Sequence, residues 1–216
     1  MKIKGLIFDL DGVLVSTEKN HFTAWKKTAE RLECDFTELD NEQLKGISRV
    51  DSLKKIIALT GTNVSPVEFD ELLIFKNEIY LESIRELGPA DALPGVVELL
   101  QQAKAHDIKL GVGSSSKNAN AILELLQIKD LFDAIIDGNG VSAPKPDPEV
   151  FLNAARDMGL SAAECIVFED AESGIMAAKA GGFKVIATGN PHVAELAHAY
   201  VETLIDFNLS IYEESF

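Results

Sequence analysis

The chain has 216 residues with 35 acidic and 20 basic side chains, a formal net charge of -15. A surface that negative repels phosphate backbones and anionic headgroups, so neither nucleic acid nor membrane is an expected partner. A hydrophobic fraction of 46% with 25% charged residues is ordinary for a globular protein with a real core, and the length suits one domain or one domain with an inserted module.

Cys34 and Cys165 stand far apart, with no CxxC spacing and no histidine pair nearby. They are expected to be small buried residues in a reducing compartment. Charges at Lys2, Lys4, Asp9 and Asp11 interrupt any apolar start, and no segment approaches the roughly 18 apolar residues of a membrane span. A cytoplasmic monomer is expected.

Short apolar runs read as strands at 4–9, 108–114, 133–137, 164–169 and 183–187. They are continuous rather than alternating, as in a parallel sheet covered on both faces. Helical spacing lies between them. Val96, Leu99, Leu100 and Ala103 share one face in 95–106, and Phe151, Ala154, Ala155 and Met158 share one in 148–158. Pro148 suits a first helical turn, and Gly181-Gly182 stops the pattern of 171–180.

The predicted fold class is therefore α/β, a doubly wound parallel sheet, with a core at 1–15 and 88–216. The stretch 16–87 breaks the alternation. Phe22, Trp25, Ala29 and Leu32 mark one helix, Ile56, Ile57 and Leu59 a second, and Phe69, Leu72, Leu73, Lys76 and Tyr80 a third. It is predicted to be a small inserted α-helical cap. The run at 88–95, rich in Gly and Pro, reads as a hinge-like connector.

Ligands of open parallel sheets bind beyond the carboxyl ends of the strands. The first predicted strand ends at Asp9 and Asp11, and the second in Ser114, Ser115, Ser116, Lys117 and Asn118. Lys145 follows the third, and Glu169 and Asp170 end the fourth. Each has a plain explanation alone: a turn at Asp9–Gly12, a cap at the serines, a solvated loop charge at Lys145, a helix cap at Glu169-Asp170. Together they suit phosphoryl transfer. A carboxylate nucleophile forms an acyl phosphate, and carboxylates hold Mg²⁺. Ser114 and neighbouring N–H groups take phosphoryl oxygens, and Lys145 supplies positive charge. Asp11 is placed to move a proton to and from the reacting oxygens.

"DLDGV" at 9–13, Ser114, Lys145 and "ED" at 169–170 resemble, in order, the motifs of the haloacid dehalogenase superfamily. The resemblance implies Asp9 as nucleophile and metal ligand and Asp11 as general acid/base. It places the Asp9 side chain, the Asp11 backbone carbonyl, Glu169 and Asp170 around Mg²⁺, under a helical cap that closes over the site. "LKGISR" at 44–49, Ser52, His21, Trp25, Lys76-Asn77 and "GSSSKN" at 113–118 are further similar to the β-phosphoglucomutase branch. That branch interconverts β-glucose 1-phosphate and glucose 6-phosphate through glucose 1,6-bisphosphate.

By that resemblance Arg49 grips the phosphate farther from Asp9, with help from Lys117 and Asn118. Gly46, Ser52 and Lys76 line the sugar site, Thr17 sits at the hinge, and His21 and Trp25 support. Ser16 departs from relatives that carry an acidic residue there, which bears on hinge geometry. A Mg²⁺-dependent sugar-phosphate phosphatase shares every core residue and remains an alternative, as does a binding protein without catalysis.

Overall fold

The computed structural model describes residues 3–44 and 46–209. In chain order the main elements are β1 (Gly5–Phe8), α1 (Glu18–Glu30), α2 (Glu38–Glu42), α3 (Arg49–Thr60), α4 (Pro66–Ser83), α5 (Val96–Ala105), β2 (Lys109–Gly113) and α6 (Ala119–Leu125). They are followed by β3 (Ala134–Ile136), α7 (Glu149–Asp157), β4 (Cys165–Glu169), α8 (Glu172–Ala180), β5 (Lys184–Thr188) and β6 (Ala199–Val201). The chain forms two compact units, one of Met1–Ser16 with Leu87–Phe216 and one of Thr17–Glu86.

The larger unit is built on a six-stranded sheet in the order β3-β2-β1-β4-β5-β6, and each strand pairs in parallel with its neighbour. β1 and β4 are central, and the winding reverses between them, so a crevice is expected at their carboxyl ends. Ile7, Val167, Val185 and Ala187 point to one face, where Phe151, Ala154 and Ala155 of α7 and Ile175, Ala177 and Ala178 of α8 cover them. On the opposite face Phe8 stacks on Phe168 at 4.8 Å, with Phe132 and Phe207 edge-on. Burial on both faces explains why these strands read as continuous apolar runs.

Two features of the larger unit differ from the sequence expectation. β6 is a sixth strand, only three residues long and at the sheet edge, too short for its periodicity to register. His198 extends its pairing: its N–H donates to the carbonyl of Val185, and its Nδ1 accepts from the N–H of Val185. The connector at 88–95 is also more ordered than expected. Pro89–Asp91 forms a 3₁₀ turn closed by Asp91, which accepts from the N–H of Gly88, and Ala92 bridges to Val15.

The helical unit has its own core of Trp25, Ala29, Leu32, Phe36, Leu44, Leu53, Ile56 and Leu72. Ser48 and Ser65 cap α3 and α4 through their hydroxyls, and Pro66 occupies the first turn of α4. Cys165 is buried, whereas Cys34 is only partly buried, a correction to its expected place. Among the described residues no helix is long and apolar enough to cross a membrane.

Candidate active site

β1 ends at Phe8, and Asp9 is the next residue, its N–H still donating to the carbonyl of Phe168 in β4. The following turn brings the N–H of Gly12 to the carbonyl of Val15 at 2.8 Å, with Gly12 at φ 82. Glu169 is the last residue of β4 and is fully buried. Asp170 lies one residue beyond. One carboxylate oxygen each of Asp9, Glu169 and Asp170 falls within 4.8 Å of the others.

Lys145 binds this cluster. Its Nζ donates to Oδ1 of Asp9 and to Oε1 of Glu169, both at 2.6 Å, and its side chain is 1% exposed. The ammonium also sits 4.6 Å from the centre of the Phe151 ring. Lys145 is thus a member of the cluster, as expected, and not a solvated loop charge. The flanking prolines suggested a loop, but the carboxylates that stabilise its burial are 136 and 24 residues away. Burial disfavours the lysine charge, yet Asp9 and Glu169 more than offset this and hold its pKa above the usual range.

Asp9 is pushed up to about 7 by burial, with Glu169 and Asp11 adding to the rise and Lys145 opposing it. Asp170 is raised well above the usual carboxylate range, first by burial and then by Glu169, Asp9 and Asp11. Three carboxylates share one ammonium, so when ionised they carry more negative charge than Lys145 offsets. Oxygen donors with surplus negative charge are the setting of a hard divalent cation, so these residues fit one. Oε2 of Glu169 accepts from the N–H groups of Asp170 and Ala171, while Oε1 takes its bond from Lys145 and keeps a lone pair.

Ser114 follows β2 and is buried. Its Oγ accepts from the N–H of Ser116, and Oγ of Ser116 accepts from the N–H of Asn118. These nested turns hold the loop without capping α6, whose N-terminal flank, Asn118, makes no side-chain cap bond. Ser115 is partly buried and Lys117 exposed.

The helical unit gathers a second group. Thr17 is buried and accepts from the hydroxyl of Tyr80 at 3.1 Å. Lys76 is buried, its Nζ 3.0 Å from Nδ1 of His21 and 4.7 Å and 4.5 Å from the ring centres of Trp25 and Tyr80. Arg49 opens α3, and burial lowers its pKa. Ser52 donates to the carbonyl of Ser48, and Gly46 has φ 72.

Two residues of the larger unit escaped sequence reasoning. A Cβ at Gly174, inside α8, would lie 1.6 Å from Oε1 of Glu169. Asn190 donates from Nδ2 to the carbonyl of Asp170 at 2.8 Å. An isolated glycine in a helical pattern and an Asn-Pro step were the available signals.

A family model described as haloacid dehalogenase-like hydrolase matches residues 6–188. The chain belongs to that family. It is 42% identical to the β-phosphoglucomutase of Bacillus subtilis (strain 168), over 98% of this chain and 95% of that one. A crystal structure of β-phosphoglucomutase from Clostridium difficile matches with a TM-score of 0.94 at 36% identity, over 98% of this chain and 96% of that chain. A phosphorylated carbohydrates phosphatase of Thermotoga maritima is 31% identical over 85% of this chain and 84% of its own length. Both resemblances read from the sequence, to the superfamily and to its β-phosphoglucomutase branch, agree with these matches.

Proposed function

We propose that the protein is a β-phosphoglucomutase, interconverting β-glucose 1-phosphate and glucose 6-phosphate by way of glucose 1,6-bisphosphate. The observation that carries this reading is the buried Asp9–Lys145–Glu169 cluster at the carboxyl ends of β1 and β4, in a chain 42% identical to such an enzyme over 98% of its length.

Asp9 is the nucleophile that takes the phosphoryl group as an aspartyl phosphate. Lys145, already bonded to Asp9, stabilises charge on the oxygens in transfer. Ser114 and the N–H groups of its loop bind phosphoryl oxygens. Asp11 gives a proton to the leaving sugar oxygen and takes one from the attacking hydroxyl. Asp9, Glu169, Asp170 and the backbone carbonyl of Asp11 would hold Mg²⁺. The ion, when bound, neutralises the carboxylates so that an anionic phosphate can approach Asp9.

Arg49, with Lys117 and Asn118, binds the phosphate that is not being transferred. Gly46, Ser52 and Lys76 are assigned to the sugar, Thr17 to the hinge of the cap, and His21 to positioning Asp11 or the substrate, with Trp25 in support. The Thr17–Glu86 unit is read as the cap of the family.

The test supplies β-glucose 1-phosphate, Mg²⁺ and a trace of glucose 1,6-bisphosphate. Glucose 6-phosphate is followed by a coupled dehydrogenase beside an inorganic-phosphate assay. Glucose 6-phosphate with little free phosphate is expected, with no turnover in EDTA. Phosphate release in step with substrate loss would assign the protein to the sugar-phosphate phosphatases instead.

A further inference from the structure

The three clustered carboxylates are not held alike. Asp9 is tied to β4 by its N–H, and Glu169 lies within β4, paired with Ala187 of β5. Asp170 comes after the ladder has ended. Its backbone is held by side chains instead: its N–H donates to Oε2 of Glu169 at 2.9 Å, and its carbonyl accepts from Nδ2 of Asn190 at 2.8 Å.

Asn190 lies just beyond β5. Its Oδ1 accepts from the N–H of His192 at 3.1 Å, capping the 3₁₀ turn Pro191–Leu196. One amide thus ties the end of β4 to the end of β5. Opposite, the Asp170 carboxylate packs so closely on the turn after β1 that a Cβ at Gly12 would lie 2.1 Å from Oδ2.

We propose that Asn190 is a positioning residue for the divalent-cation site, fixing Asp170 where its carboxylate faces Asp9 and Glu169. The inference rests on reading that cluster as the Mg²⁺ site. Carboxylates within 4.8 Å of one another repel. A residue beyond the ladder would relieve the repulsion by moving toward water. Asn190 resists that movement through the carbonyl of Asp170, and as a neutral amide it does so without changing the charge of the site. The site is then preorganised before a cation arrives. Without the amide, the cation must draw Asp170 back, and affinity falls.

The test is calorimetric titration of Mg²⁺ into the full chain and into Asn190→Ser and Asn190→Ala, with thermal unfolding in EDTA alongside. Serine preserves a cap for His192 but is too short to reach Asp170 as well. Both variants are expected to weaken Mg²⁺ binding about 10-fold, the lower end of the effect of groups that orient metal ligands. The serine variant should melt in EDTA where the wild type does. Equal affinity in all three proteins would overturn the proposal. Weakened binding confined to Asn190→Ala, together with a lowered melting temperature, would reduce Asn190 to a cap and overturn it too. A wild type that binds no Mg²⁺ is a separate outcome, which overturns the reading of the site itself.

Discussion

Gly174 leaves the space that the carboxylate of Glu169 fills: a Cβ at position 174 would lie 1.6 Å from Oε1 and 2.1 Å from Cδ. Oε1 is the oxygen that accepts from Lys145. A helix of nine residues thus carries a glycine in its first turn because a buried acid lies against its backbone.

Gly174→Ala sets two effects against each other. Alanine is favoured over glycine by about 0.5–1 kcal/mol in a helix interior, and by no more than that in the first turn where Gly174 lies. Overpacking a filled site costs about 1–3 kcal/mol, and here it also displaces a charged oxygen from its lysine. The balance is destabilising, so the urea midpoint should fall and phosphoryl transfer should slow. A more stable variant with full activity would mean that Glu169 has room to move.

Lys145→Met keeps the length of the side chain over Phe151 and removes the charge. Breaking a buried ion pair from one side costs about 3–5 kcal/mol, because the partner charges stay behind. The EDTA-treated variant should therefore unfold at lower urea than the wild type. Added Mg²⁺ should stabilise the variant more than the wild type, since the carboxylates then depend on the cation alone. Transfer should slow by about 10²–10³, as when a donor to developing charge is lost. Equal Mg²⁺-induced shifts in the two proteins would count against this account of the cluster.

A further prediction concerns the sheet edge. His198 accepts from the N–H of Val185 through Nδ1, a bond that only the neutral ring with its proton on Nε2 can accept at that atom. Burial, then Lys184 and Lys179, holds its pKa below the ordinary histidine value of about 6.5. A depressed histidine contributes stability above its unfolded pKa and loses it as pH falls through the folded one. The wild type should lose stability below about pH 6.5. His198→Asn, which keeps an acceptor that does not titrate, should lose less. An NMR titration placing His198 at or above about 6.5 would contradict this.

What the sequence revealed follows from what is local. Asp9, Glu169 and Asp170 were legible because a covered parallel strand is an apolar run, and a charge at its end announces the edge of the sheet. Lys145 was legible as part of that set, but its direct bonds to Asp9 and Glu169 were not, since those partners are far off in the chain and its neighbours are prolines. Gly174 and Asn190 act through space, on Glu169 and on the carbonyl of Asp170, and neither contact leaves a periodic mark. β6 is too short to carry one.

Arg49 bears on the assignment of the second phosphate. It stands in the first turn of α3, capped by Ser48, where the positive end of the helix disfavours a cation by a few tenths of a kcal/mol or more. Burial lowers its pKa as well, so its position does not serve the helix. A guanidinium at the start of a helix is suited to an anion. Arg49→Ala should leave the urea midpoint unchanged or slightly raised. It should weaken glucose 1,6-bisphosphate by about 10–100-fold, the worth of charged hydrogen bonds of about 1.5–3 kcal/mol. Phosphorylation of Asp9 by acetyl phosphate should hardly change, because that donor has no second phosphate to hold. Steady-state kinetics with each donor, beside the unfolding curve, separates the cases. Equal losses with both donors, or a fall in stability that accounts for the loss, would make Arg49 a structural residue of the helical unit.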